Sequence, residues 1–270
     1  WVGILRRPAD NYAGKPWRTN PKGRRKMEIF AKSDIGRKRA CNEDSYGYSV
    51  SSGIGCSLFV VADGMGGAKA GNVASRIAVT AMIEYFEEHL KKLSDINRIC
   101  DGLHQAVTYA NQLVMEAAVA SEAYRGMGTT VVCACVIDRT LIILNVGDSR
   151  AYLISEKNGT QLTEDHSYVE HLVRTGQIDR AEAKLHPRRN EITRALGAIP
   201  NVQADLFLYD YREGNCLILC TDGLTRMVED RELYRAVRKE ENPERICDKL
   251  VELANRGGGL DNITVVATIL

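Results

Sequence analysis

Residues 129–155 read TTVVCACVIDRTLIILNVGDSRAYLIS, and this stretch decides the fold. It holds three strand-like runs, 129–137, 141–146 and 151–155, with almost nothing between them. Asp138-Arg139-Thr140 joins the first two. Connections this short permit antiparallel pairing only, because parallel neighbours need a crossover of roughly a dozen residues. This argues against a doubly wound parallel sheet. The runs are apolar at nearly every residue, so both faces of the sheet are covered. That implies a second sheet on one side and helices on the other.

Outward from this meander, the chain alternates in the same α+β manner. Strands are expected at 27–32, 44–50 and 57–62. Two long helices follow, about 71–90 and 95–120. The first is apolar at Val73, Ile77, Ala81 and Tyr85, the second at Ile96, Ile99, Leu103, Ala106, Ala110, Leu113 and Ala117. That spacing gives each helix one buried stripe, and Ser94 and Asp95 supply an N-cap. Residues 164–197 turn polar and read as a small helical flap over a rim. Strands near 202–209 and 215–221, helices near 230–238 and 243–255, a triple-glycine turn and a strand at 262–269 complete the chain.

The net charge of +1 hides an asymmetry. Residues 1–26 carry eight Lys/Arg and one acid, about +7, which leaves 28 Lys/Arg against 34 Asp/Glu, about −6, for the rest. The basic segment, with three prolines and three glycines, reads as a disordered extension or a basic arm for an acidic partner. Met27 reads as a natural start and 27–270 as one domain. An acidic globular part suits cations and argues against nucleic acid. The eight cysteines form no Cys-x-x-Cys pair, and Cys133 and Cys135 read as small buried hydrophobes rather than a soft-metal pair. A reducing cytoplasm is expected. No apolar stretch approaches the ~18–20 residues of a membrane span.

Five aspartates stand at the ends of apolar runs: Asp44, Asp63, Asp148, Asp222 and Asp261. Glycines beside Asp63, Asp148 and Asp222 let a backbone come close. Carboxylates gathered at one rim repel unless cations lie between them. Hard oxygen donors favour Mg2+ or Mn2+ over zinc or copper.

At Arg39-Ala40-Cys41-Asn42-Glu43-Asp44, Asp63-Gly64-Met65-Gly66-Gly67, Gly128-Thr129-Thr130, Gly147-Asp148-Ser149-Arg150, Thr221-Asp222-Gly223 and Asp261-Asn262 the chain resembles the type 2C, metal-dependent Ser/Thr protein phosphatases. Met127-Gly128-Thr129-Thr130 and Arg194-Ala195-Leu196-Gly197 resemble the bacterial branch. The resemblance covers about 27–270. It implies an α-β-β-α sandwich of two mainly antiparallel sheets flanked by helices. The implied reaction is hydrolysis of phosphoserine and phosphothreonine in proteins, opposing a Ser/Thr kinase, by a monomer. It gives Asp63, Asp222 and Asp261 to one metal, and Asp63, the Gly64 carbonyl, Glu43 and Asp44 to the other. Asp148 with Asp222 matches a third, weaker site. Arg39 matches the phosphate clamp, and guanidinium geometry suits two phosphate oxygens.

Two alternatives remain at this level. One is a non-catalytic binding module that kept the fold. The other is an aspartyl-phosphate phosphatase, which would need a nucleophilic aspartate at the end of a parallel strand. The sequence also departs from the family pattern: a histidine two residues after the bridging aspartate is Met65 here, and one after the second glycine is Ala68. Methionine cannot transfer a proton. His166 is the most tempting substitute among the five histidines, against a plain reading as a flap residue.

Overall fold

The uninterrupted apolar runs are explained by what lies on each side of them. The protein, seen in a computed structural model, is described at residues 5–6, 27–51, 55–66, 70–240 and 242–270. Its elements begin with β1 (Leu5–Arg6), β2 (Glu28–Asp34), β3 (Asp44–Ser49) and β4 (Ser57–Met65). Helices α1 (Ala70–Tyr85) and α2 (Ile96–Ala120) follow, α1 running on through a π turn at Phe86–Leu90. Asp95 caps α2, accepting a hydrogen bond from the Arg98 N–H. Next come β5 (Gly128–Thr129), β6 (Val131–Ile137), β7 (Thr140–Val146), β8 (Arg150–Ile154) and β9 (Gly159–Gln161). The flap carries α3 (Tyr168–Arg174) and α4 (Arg180–Leu185). The chain ends with β10 (Asp205–Asp210), β11 (Cys216–Cys220), α5 (Asp222–Thr225), α6 (Asp230–Lys239), α7 (Pro243–Arg256) and β12 (Ile263–Ile269).

Among the described residues, one sheet runs β1-β10-β7-β6-β4-β3, with β5 paired to β4, and the other runs β2-β12-β11-β8-β9. The two sheets stack, and side-chain alternation sorts each central strand into two cores. On β4, Leu58, Val60 and Ala62 pack under α1 and α2, while Phe59 and Val61 point between the sheets. On β6, Cys133 and Cys135 join the helix side, and Val132, Ala134 and Val136 the intersheet side. On β11, Ile218 packs toward α6 and α7, while Leu217 and Leu219 meet the first sheet. Helix, sheet, sheet and helix thus enclose three apolar layers.

Three expectations are amended. Runs 129–137 and 141–146 pair as expected, Ile137 opposite Thr140 across a turn in which Asp138 takes a positive φ. The third run does not continue that sheet. At Gly147 the chain crosses to the second sheet, where β8 pairs with β11. A strand covered on both faces is satisfied in either sheet, so its apolar pattern does not say which. Secondly, the stretch 1–26, expected without structure, contributes one short strand: Leu5 and Arg6 pair in parallel with Phe207 and Leu208. The rest of it lies outside the described residues, as do Gly67 and Ala68. Thirdly, β9 and α5 were not expected. All eight cysteines are free. No helix among the described residues is long and apolar enough to cross a membrane.

Candidate metal and phosphate site

Antiparallel pairing brings the start of one strand beside the end of its neighbour, and this gathers the acids. Asp44 opens β3 directly opposite Asp63 near the end of β4. Asp63 follows Phe59 and Val61 in the alternation, so it lies on the face turned toward the second sheet. From that sheet come Asp222, just after β11, and Asp261, just before β12. Asp148 sits in the crossover between β7 and β8. Asp63 feels the charges of all four others, Asp44 and Asp222 more strongly than Asp148 and Asp261.

Hydroxyl and amide groups brace the strand ends that carry the acids. Thr221 and Thr264 hydroxyls both donate to Asp44 Oδ2, at 2.9 and 2.7 Å. The Asp63 N–H donates to Thr130 Oγ1 at 2.9 Å, and its carbonyl accepts from the Thr129 hydroxyl, also at 2.9 Å. Asn262 accepts from the Glu43 N–H and donates to the Ile35 and Cys41 carbonyls, fixing the loop that carries Arg39 and Glu43. Gly64 has no room for a side chain: a Cβ there would stand 2.1 Å from the Gly71 carbonyl oxygen and 2.5 Å from that of Glu43.

The electrostatics are those of crowded acids. Burial, opposed by the threonine hydroxyls and reinforced by Asp222 and Asp261, pushes Asp44 up to about 7. Burial and the Asp222 charge push Asp148 up to about 8. Asp63 keeps part of its side chain open to solvent, yet burial and its four acidic neighbours hold it well above the carboxylate range. Three buried carboxylate oxygens, Glu43 Oε1, Asp44 Oδ1 and Asp222 Oδ1, have no hydrogen-bond partner. Unpaired buried anions are costly unless cations meet them. Oxygen donors left bare in this way fit hard divalent ions.

As they stand, no three acidic, His or Cys side chains among the described residues converge closely enough to hold an ion. Two arginines hold part of the cluster instead. Arg39 donates to Asp261 Oδ2 at 2.7 Å with its side chain half exposed, and Arg226 lies against Asp222.

The chain as a whole is similar to known proteins. A family profile described as protein phosphatase 2C matches residues 35–240. The serine/threonine phosphatase Stp of Listeria monocytogenes is 38% identical over 240 residues, covering 89% of this chain and 94% of its own. The protein phosphatase PhpP of Streptococcus pneumoniae is 37% identical, covering 88% and 96%. The crystal structure of the serine/threonine phosphatase Stp1 from Staphylococcus aureus superposes with a TM-score of 0.85 at 37% identity, covering 92% of this chain and 99% of that one.

This chain belongs to the protein phosphatase 2C family.

It is a protein serine/threonine phosphatase, a hydrolase of a metal-dependent family. A further neighbour, the catalytic domain of the phosphatase PstP in complex with two manganese ions, is 33% identical with a TM-score of 0.77, covering 90% of this chain and 97% of that one.

The phosphatase motifs acquire physical reasons. Thr129 and Leu196 exchange backbone hydrogen bonds at 3.1 and 2.9 Å, so the two bacterial-type motifs meet. Arg194 donates to Asp205 at 2.6 Å. Arg150 grips Asp165 through Nε and a terminal nitrogen. Both ring nitrogens of His166 have neighbours. The residue is buried, its Nδ1 accepts from the Gly147 N–H at 3.1 Å, and its Nε2 lies 3.1 Å from Asp205. Nε2 also lies 3.1 Å from a terminal nitrogen of Arg194. The hydrogen bond from His166, with Arg194 beside it, holds Asp205 down at about 2. Met65 lies over Gly128, whose missing side chain makes the space. The sequence reading missed Arg226, an ordinary arginine after a turn signal, with nothing in its spacing to mark it.

Proposed function

We propose that the phosphatase hydrolyses phosphoserine and phosphothreonine in cytoplasmic phosphoproteins, opposing a Ser/Thr kinase, as a monomer whose active unit is 27–270. What supports this most is one observation: five aspartates gathered at a single rim, with three bare carboxylate oxygens of Glu43, Asp44 and Asp222 in it. Asp63, Asp222 and Asp261 would hold one Mg2+ or Mn2+. Asp63, Glu43, Asp44 and the Gly64 carbonyl would hold the other. Bound divalent ions supply an acidified water and positive charge for the phosphate.

The chain's own residues do the rest. Arg39 stands at the edge of the cluster with N–H groups open to solvent, placed to take two phosphate oxygens. The Asn262 and Thr221/Thr264 frames keep the donors from moving as charge arrives. Met65 cannot protonate the departing serine oxygen, which leaves that role to water in the site or to another residue. The aspartyl-phosphate alternative lacks its required parallel strand end, since every pairing at this rim is antiparallel. Phosphate release from a phosphothreonine peptide by chelator-treated protein tests the reading. Recovery on adding Mn2+ is expected, and full activity without any metal would refute it.

A further inference from the structure

Arg226 follows α5 directly, and its N–H donates to the Asp222 carbonyl at 2.8 Å. Its side chain folds back over that turn into the acidic rim. One terminal nitrogen lies against the Asp222 carboxylate and 3.7 Å from Asp148 Oδ2. The other is 3.9 Å from Asp261 Oδ2. The guanidinium thus stands where Asp148 and Asp222 come together, the pair assigned by resemblance to a third metal. Its charge is permanent, because arginine does not deprotonate in proteins.

We propose that Arg226 is a resident cation that holds the Asp148–Asp222 corner in place of a metal ion, so that this phosphatase binds two divalent ions and excludes a third. The inference rests on the metal role of the carboxylates proposed above. Charge balance supports it. Glu43, Asp44, Asp63, Asp148, Asp222 and Asp261 carry six negative charges when ionised, and Arg39 and Arg226 return two. The remaining four are neutralised by two divalent ions. A third would leave the rim positive and would have to displace a guanidinium already paired with Asp222.

Equilibrium dialysis of the chelator-treated chain against Mn2+ tests this, with bound metal counted per chain. Wild type is expected to bind two ions, and Arg226→Gln to gain one more. Arg226→Lys, which keeps the charge, is expected to stay at two. Asp148→Asn leaves Arg226 in place and is also expected to keep two, which covers the case in which Arg226→Gln does not fold. Three ions in wild type, an unchanged count in folded Arg226→Gln, or loss of an ion in Asp148→Asn would each overturn the proposal. No Mn2+ binding by wild type would instead overturn the ligand assignment itself, and this inference with it.

Discussion

Asp44 and Asp63 are direct partners across adjacent antiparallel strands, and their side chains share one face at the mouth of the intersheet layer. Two acids would not be paired there for stability alone. Their position makes the metal-free protein sensitive to pH in a definite direction. The pKa values of Asp44, at about 7, and Asp148, at about 8, are raised above the ordinary carboxylate value of 3.8. The folded state therefore holds protons that the unfolded chain has lost. Stability from these groups is fully present below the ordinary carboxylate range and is lost as pH rises through about 7–8.

The melting temperature of chelator-treated protein is thus expected to fall by about 5–10 °C between pH 5.5 and 8. Added Mn2+ should reverse most of the loss at pH 8 and matter less at pH 5.5. A metal-free melting temperature that stays level across this range would show that the carboxyls are not crowded.

Replacing Arg39 by alanine is expected to raise KM for a phosphopeptide by roughly tenfold, with a smaller effect on kcat. A clamp that grips ground-state and transition-state phosphate alike contributes uniform binding. Steady-state kinetics decide it: an unchanged KM would leave Arg39 as a partner of Asp261 only.

Gly64→Ala is expected to destabilise the fold by about 1–3 kcal/mol and to weaken Mn2+ binding. The added methyl would push against the Gly71 carbonyl and the loop of Glu43. Calorimetry against Mn2+ checks it, and wild-type melting with wild-type affinity would contradict the close approach.

Met65→His concerns the leaving group. A nitrophenolate departs unaided, while a serine alkoxide needs a proton. The substitution is expected to raise the rate on phosphopeptides more than on p-nitrophenyl phosphate, with a new limb in the phosphopeptide pH profile. Equal effects on the two substrates would make position 65 a packing position, as its contact across Gly128 suggests.

Much of this was legible in the sequence because strand ends advertise themselves. Apolar runs stopping at Asp63, Asp222 and Asp148 marked the rim, and the helix stripes at 71–90 and 95–120 placed the covering layer. What could not be read depended on three-dimensional choices. The crossover at Gly147 looks like any tight connection, since β8 is apolar on both faces whichever sheet receives it. His166 reads in sequence as a flap residue with a catalytic alternative, and only the fold shows Gly147, Asp205 and Arg194 around its two nitrogens. Arg226 became visible only when α5 turned it back onto Asp222, Asp148 and Asp261.

The most direct measurement follows phosphate release from a phosphothreonine peptide by wild type and Asp63→Asn across a Mn2+ titration. Asp63 is the carboxylate that the four other aspartates of the cluster bear upon. Its loss should remove the shared anchor of both ions. Wild type is expected to rise from near zero to saturation, and Asp63→Asn to stay at least roughly 100-fold lower at saturating Mn2+. Most of the wild-type rate surviving in Asp63→Asn would contradict the account.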